Sequence, residues 1–226
     1  MKSNEKLKCV IFDMDGCLVD TEAAYMKSWR RAFEIDGFPI DYNIINSWAG
    51  LGANYINDEI YRLTHDINRT RKIRQLREDI FFQLLEDGKV ELKLYAKEIL
   101  LFLRERNIKI GLASSTYKFK ALRILEHFKL SNFFDFMVFG DQVKKLKPAP
   151  DIYLKALEIS KENISNCLIF EDSVSGVKAA KEAGFTYIVH IPDSSILQCE
   201  VDLNTFAKVD NFLEGMKLIE KILELG

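Results

Sequence analysis

In the stretch Cys9-Val10-Ile11-Phe12-Asp13-Met14-Asp15-Gly16, four apolar residues run straight into two aspartates spaced two apart and a glycine. A short unbroken apolar run fits a strand covered on both faces, as in a parallel sheet. Open α/β sheets bind ligands outside the carboxyl ends of their strands, and that is where Asp13 and Asp15 fall. One carboxylate there can attack phosphorus while the other manages the proton. A cation is then needed, because a carboxylate and a phosphate repel each other. Taken alone, the same two aspartates also describe an ordinary solvated loop.

Working outward, further short apolar runs lie at 108–113, 136–139, 168–170 and 187–191. Helical spacing separates them. Ile99, Leu100 and Leu103 precede one run; Leu122, Leu125 and Phe128 follow it; Val177, Ala180 and Ala183 end at Gly184. Strand alternating with helix implies a doubly wound α/β fold with a parallel sheet. From about Glu22 to Gly88 the rhythm breaks into helical stripes only: Ala23, Met26, Trp29 and Phe33 up to Gly37; Ile56, Ile60 and Leu63; Ile73, Leu76, Ile80, Leu84 and Leu85. The expected organisation is a core of residues 1–21 and 90–226, with an all-helical domain, 22–89, inserted after the first strand. Leu218, Ile222 and Leu225 near the C-terminus read as a helix packed on the core.

Three more stretches sit at strand ends. In Leu112-Ala113-Ser114-Ser115, a hydroxyl and free backbone N–H groups would hold phosphate oxygens, although a Ser pair can equally cap the next helix. In Leu146-Lys147-Pro148-Ala149-Pro150-Asp151, the prolines stiffen the approach to a helix that Asp151 could cap. Lys147 then points a fixed cation at a phosphate or nucleophile, or is merely an exposed loop lysine. In Phe170-Glu171-Asp172-Ser173, paired carboxylates suit a hard cation such as Mg²⁺, while Asp172 or Ser173 could instead be a helix N-cap.

Composition narrows the class. The chain has 226 residues, 48% hydrophobic and 29% charged, with a net charge of −2. These values describe a globular domain and give no sign of a nucleic-acid or membrane-surface protein. The basic run Arg69-Thr70-Arg71-Lys72-Ile73-Arg74 reads as a solvated helix start or as a phosphate-attracting face. Cys9, Cys17, Cys167 and Cys199 lack C-x-x-C spacing, which argues against zinc and for reduced thiols in the cytoplasm. No stretch of about 18 apolar residues occurs, so a cytoplasmic protein is expected, a monomer or weak dimer.

In order along the chain, the four stretches resemble the haloacid dehalogenase-like hydrolase superfamily. Within it they look like the branch of β-phosphoglucomutase and small sugar-phosphate phosphatases. The resemblance runs from Cys9 to about Ile191 and is carried by Phe-Asp-Met-Asp-Gly-Cys-Leu-Val-Asp-Thr-Glu from Phe12, Ala-Ser-Ser-Thr from Ala113, Lys-Pro-Ala-Pro-Asp-Ile-Tyr from Lys147, and Glu-Asp-Ser-Val-Ser-Gly-Val-Lys-Ala-Ala from Glu171. It implies Asp13 as nucleophile and Mg²⁺ ligand, and Asp15 as general acid/base with its carbonyl on the metal. Ser114 and Lys147 would hold the phosphoryl group, with Ser115 nearby. Asp172 would ligate Mg²⁺, with Glu171 as a further ligand or its support. Dehalogenase and phosphonatase members typically lack the second Asp, so Asp15 points to phosphate esters.

The resemblance makes the helical insertion a small cap that closes over the site and reads the substrate. Here the chain departs from β-phosphoglucomutases, which flank the cap-loop glycine with Lys and Arg and carry a His on the first cap helix. Around Gly50, Ala49 and Ala53 stand at the basic positions, and Tyr25 stands at the His. A mutase needs a cation for the distal phosphate of its bisphosphate. Arg77 could supply one, or be a solvent-facing helix residue. The expectation is therefore a phosphatase acting on a small phosphorylated metabolite, such as phosphoglycolate, a hexose or pentose phosphate, or phosphogluconate. The alternative is a β-phosphoglucomutase-type isomerase. A non-catalytic protein on this fold is disfavoured, because every matched catalytic position is filled.

Overall fold

A computed structural model describes residues 7–49, 52–193 and 204–224. The chain divides into two compact units, Met1–Val19 with Leu92–Gly226, and Asp20–Glu91.

The first unit is built on a six-stranded sheet. Its strands are β1 (Cys9–Phe12), β4 (Lys109–Ser114), β5 (Phe136–Phe139), β6 (Cys167–Glu171), β7 (Ile188–His190) and β8 (Ala207–Lys208), in spatial order β5-β4-β1-β6-β7-β8. Every neighbouring pair is parallel. Two further strands, β2 (Val19–Asp20) and β3 (Glu91–Leu92), form a separate two-stranded sheet.

Parallel strands are joined by crossovers, usually helical, and the described helices cover both faces of the six-stranded sheet. On one face Cys9, Ile11, Ala113, Val138, Cys167 and Ile169 pack against α7 (Asp151–Ser160) and α8 (Val174–Glu182). On the other, Phe12 stacks on Phe170 at 5.2 Å, and Phe212 of α9 (Phe212–Glu224) meets the two rings edge-on at 5.8 and 5.4 Å. Buried Ile99, Leu100 and Leu103 come from α5 (Ala96–Glu105), and α6 (Lys118–His127) follows β4. The continuous apolar runs of the strands reflect this two-sided burial. As expected, α9 is a core helix, burying Phe212, Gly215, Ile219 and Ile222; Leu225 and Cys199 lie outside the described residues.

The second unit consists of α1 (Glu22–Asp36), α2 (Tyr42–Asn46), α3 (Ala53–Thr64) and α4 (Ile67–Glu86) among the described residues. Its core joins Trp29, Phe33, Trp48, Ile56, Ile60 and Ile73. α1 stops at Gly37, whose φ of 75° is the left-handed conformation that glycine adopts without strain. The basic run opens α4 with Arg69, Arg71 and Lys72 exposed, as a solvated helix start should; Arg69 and Lys72 also each lie 2.9 Å from Asp36, whose side chain is buried. One expectation changes. Arg77 does not face solvent. It is 6% exposed, its guanidinium lies 4.0 Å above the Tyr25 ring centroid, and Nη1 donates to Glu78 at 2.6 Å.

Candidate active site

Register assembles the site. Phe12 is paired with Leu112 on one side and Phe170 on the other. The next residue on each strand or strand end is therefore Asp13, Ala113 and Glu171, side by side at the carboxyl edge. Lys147 reaches this row from the loop before α7. Its ammonium donates to Asp13 Oδ1 at 2.5 Å, to the Ala113 carbonyl at 2.9 Å and to Glu171 Oε1 at 2.6 Å. A lysine has three donors, and here one goes to each of three adjacent chain segments.

Glu171 is held just as fully. Oε1 also accepts from the Tyr153 hydroxyl at 2.7 Å, and Oε2 accepts from Ser173 N–H at 3.1 Å and Ser173 Oγ at 3.2 Å. The carboxylate lies against Gly176, where a Cβ would overlap both of its oxygens. The glycine in the Glu-Asp-Ser-Val-Ser-Gly stretch thus keeps space for the glutamate.

The Asp13–Gly16 loop doubles back on itself. Leu18 and Val19 N–H donate to the Met14 carbonyl, each at 3.0 Å, and Gly16 N–H donates to Val19 O at 2.8 Å. Gly16 has φ 78°, and a Cβ there would overlap Asp172 Oδ2. Asp15 turns toward β4, accepting from Thr116 Oγ1 at 2.7 Å and Ser114 Oγ at 3.3 Å. Asp172 is buried, and His190 Nε2–H donates to its backbone carbonyl at 2.9 Å.

The alternative helix-capping roles resolve case by case. Ser114 accepts from Thr116 N–H at 3.0 Å and does not cap α6, whose N-cap is Tyr117. Ser115 Oγ is buried with no hydrogen-bond partner. Asp151 is no cap: α7 starts from Pro150, and the Asp151 carboxylate accepts from Lys145 N–H at 3.2 Å. Ser173 does cap α8, through Gly176 N–H at 3.0 Å. Gly50 lies outside the described residues.

Three buried carboxylates, Asp13, Glu171 and Asp172, offer oxygens within 4.8 Å of one another. Burial pushes the Asp13 carboxyl up to about 8, against the downward pull of Lys147 and with the neighbouring anions Glu171 and Asp15 adding to the rise. Burial also works against ionising Glu171, but Lys147, Tyr153 and Ser173 outweigh it and hold that carboxyl below its usual range. For Lys147 burial is overcome by Asp13 and Glu171, which keep the ammonium protonated. The cluster is short of positive charge. A donor set of oxygens alone, with a glycine turn leaving room beside Asp172, fits a hard divalent cation.

This order of strand-end acids, lysine and hydroxyl agrees with a family-level match. The family model for haloacid dehalogenase-like hydrolases matches residues 10–190. The chain belongs to that family. Among its relatives is a phosphorylated carbohydrates phosphatase of Thermotoga maritima, 35% identical over 192 residues, covering 83% of this chain and 87% of that protein. A β-phosphoglucomutase of Bacillus subtilis is 29% identical over 193 residues, covering 79% and 80%. Among solved structures, a family IA, variant 3 hydrolase of Entamoeba histolytica superposes with a TM-score of 0.79 at 26% identity, covering 96% of this chain and 98% of that one. The resemblance drawn from the motifs is thus a family membership, and the chain is a phosphohydrolase of the haloacid dehalogenase-like type. Among the described residues, no helix is long and apolar enough to cross a membrane.

Thr116, Tyr153, Ser173 and Gly176 escaped the sequence reading as contributors to the site. All four lie inside or beside the matched stretches, so a polar residue or glycine at an unassigned motif position was the available signal.

Proposed function

We propose that this haloacid dehalogenase-like hydrolase is a Mg²⁺-dependent phosphatase of small phosphorylated metabolites, sugar phosphates foremost, working through a phosphorylated Asp13. The observation that carries the reading is the Lys147 ammonium bonded to both Asp13 and Glu171, with Asp172 alongside. Asp13 and Asp172 would hold the cation, with the Asp15 carbonyl. Glu171, whose oxygens already accept four hydrogen bonds, would anchor Lys147 rather than the metal. When bound, the cation offsets the repulsion between the Asp13 carboxylate and the incoming phosphate.

An Asp13 oxygen attacks phosphorus, the phosphorus–ester oxygen bond breaks, and Asp15 gives its proton to the leaving alkoxide. Water then attacks the phosphorus and passes a proton back to Asp15, releasing inorganic phosphate and free Asp13. Ser114, Ser115 and Lys147 would steady the phosphoryl oxygens. The phosphatase relative at 35% identity supports hydrolysis of a phosphorylated carbohydrate. Against the mutase alternative, Ala49 and Ala53 supply no cation for a second phosphate, and Arg77 is buried over the Tyr25 ring and paired with Glu78.

The test is a panel of phosphate esters with Mg²⁺, measuring free phosphate, together with β-glucose 1-phosphate assayed for conversion to glucose 6-phosphate. Phosphate release that stops with EDTA and in Asp13→Ala is expected. Fast isomerisation with little phosphate release would overturn the hydrolytic reading, and EDTA-sensitive turnover surviving in Asp13→Ala would overturn the mechanism.

A further inference from the structure

We propose that Asp193 is a positioning residue for the cation expected at Asp13 and Asp172, and that Lys93 sets how strongly it acts. This rests on the reading of the site given above. Asp193 lies just beyond β7, and its side chain is 0% exposed. Its two oxygens face different groups. Oδ1 stands 3.3 Å from Lys93 Nζ, longer than the roughly 2.7–2.9 Å of a tight charge-assisted bond. Oδ2 faces the Gly16 turn: a Cβ placed on Gly16 would sit 3.3 Å from it, and the same atom would overlap Asp172 Oδ2. Oxygens of Asp172 and Asp193 therefore flank one backbone carbon, in the space that glycine leaves open.

Asp193 thus sets a further buried carboxylate near Asp172 at the Gly16 turn, with Lys93 on its other oxygen. The Lys93 side chain is only 14% exposed, so solvent and salt screen its charge weakly. A carboxylate beside a metal ligand adds its negative charge to the pull on the cation, and losing an outer group of a metal site typically costs about 10–100-fold in affinity. Lys93 draws on the same carboxylate from the far side and competes with the cation for it.

The two residues predict opposite shifts. Asp193→Asn keeps shape and removes charge, and should weaken Mg²⁺ binding roughly 10–100-fold. Lys93→Met keeps the aliphatic stem and removes the competing cation from Asp193 Oδ1, and should tighten Mg²⁺ binding several-fold. A purely structural ion pair would lower the melting temperature in both variants and move Mg²⁺ affinity in neither. The experiment is calorimetric titration of MgCl₂ into the EDTA-stripped full chain, for the parent, both variants and Asp172→Asn. Opposite shifts support the inference. Unchanged affinity in both variants, with binding lost in Asp172→Asn, overturns it and leaves the site reading standing. Unchanged affinity in Asp172→Asn overturns the site reading as well. Should Asp193→Asn not fold, Lys93→Met carries the test alone, and binding no tighter than the parent's overturns the proposal.

Discussion

Replacing Gly176 by alanine tests whether Glu171 is a positioned anchor for Lys147. The new Cβ would stand 1.8 Å from Glu171 Oε1, and real Cβ contacts do not fall below 3.0 Å. The carboxylate must therefore retreat by about 1.2 Å, since Gly176 sits in α8 with its backbone bonded to the Ser173 cap. Lys147 and Tyr153 hold that carboxylate at 2.6 and 2.7 Å, so a shift of this size breaks or bends both bonds and lets the ammonium drift from Asp13. Displacements of about 1 Å in such constellations cost roughly 10²-fold in rate, or about 2.7 kcal/mol of transition-state stabilisation. The fold suffers less. Alanine favours a helix over glycine by about 0.5–1 kcal/mol, against about 1–3 kcal/mol for overpacking. The assay is steady-state hydrolysis of p-nitrophenyl phosphate with saturating Mg²⁺, with a melting curve alongside. A kcat down about 100-fold with a melting temperature lowered by less than about 8 °C is expected. A variant with kcat within threefold of the parent would refute the idea that the glutamate's position matters.

Other outcomes follow from the same geometry. Asp15→Ala should lower kcat by about 10²–10⁴-fold, the usual contribution of a general acid/base, with the melting curve unchanged. Thr116→Val removes the 2.7 Å bond to Asp15 and should lower kcat about 3–10-fold, consistent with losing a bond to a charged acceptor whose second donor, Ser114, remains. Burial holds the His190 imidazole below its usual 6.5. A base depressed in the folded state gives stability that is present above 6.5 and is lost as pH falls through the folded value, because the unfolded chain takes up the proton first. Melting curves between pH 7.5 and 5 should fall less steeply in His190→Asn than in the parent.

How far the sequence could be read depends on what each segment had to satisfy. Cys9–Phe12 and Phe136–Phe139 were found to the residue, because strands buried on both faces leave unbroken apolar runs. β8 was invisible: two residues at a sheet edge, Ala207 and Lys208, carry no period. α2 was missed for a similar reason, being five residues of mixed polarity anchored by an Asp41 cap. Arg77 looked like a surface residue because charge alone suggests exposure. Its burial depends on the Tyr25, Trp29 and Phe81 rings around it, a packing that spacing on one helix cannot reveal. Tyr153 sat within a recognised stretch, yet its hydroxyl only acquires meaning once β6 delivers Glu171 beside α7. Asp193, in Ile191-Pro192-Asp193, stands at a strand end like the assigned acids but belongs to no recognised stretch.

The lysine that joins three strand ends also has a bearing on how the chain folds. Lys147 meets Asp13 across 134 positions of sequence and Glu171 across 24, and Ser114 meets Asp15 across 99. Such distant partners are reached late and slowly, since closing long loops costs entropy before any contact rewards it. No fragment ending before β6 possesses the site, and neither does a nascent chain still awaiting that strand. Phosphate hydrolysis is therefore a readout of the sheet assembled as far as β6. During refolding, activity should return no earlier than the docking of β6 beside β1, however soon the helices form.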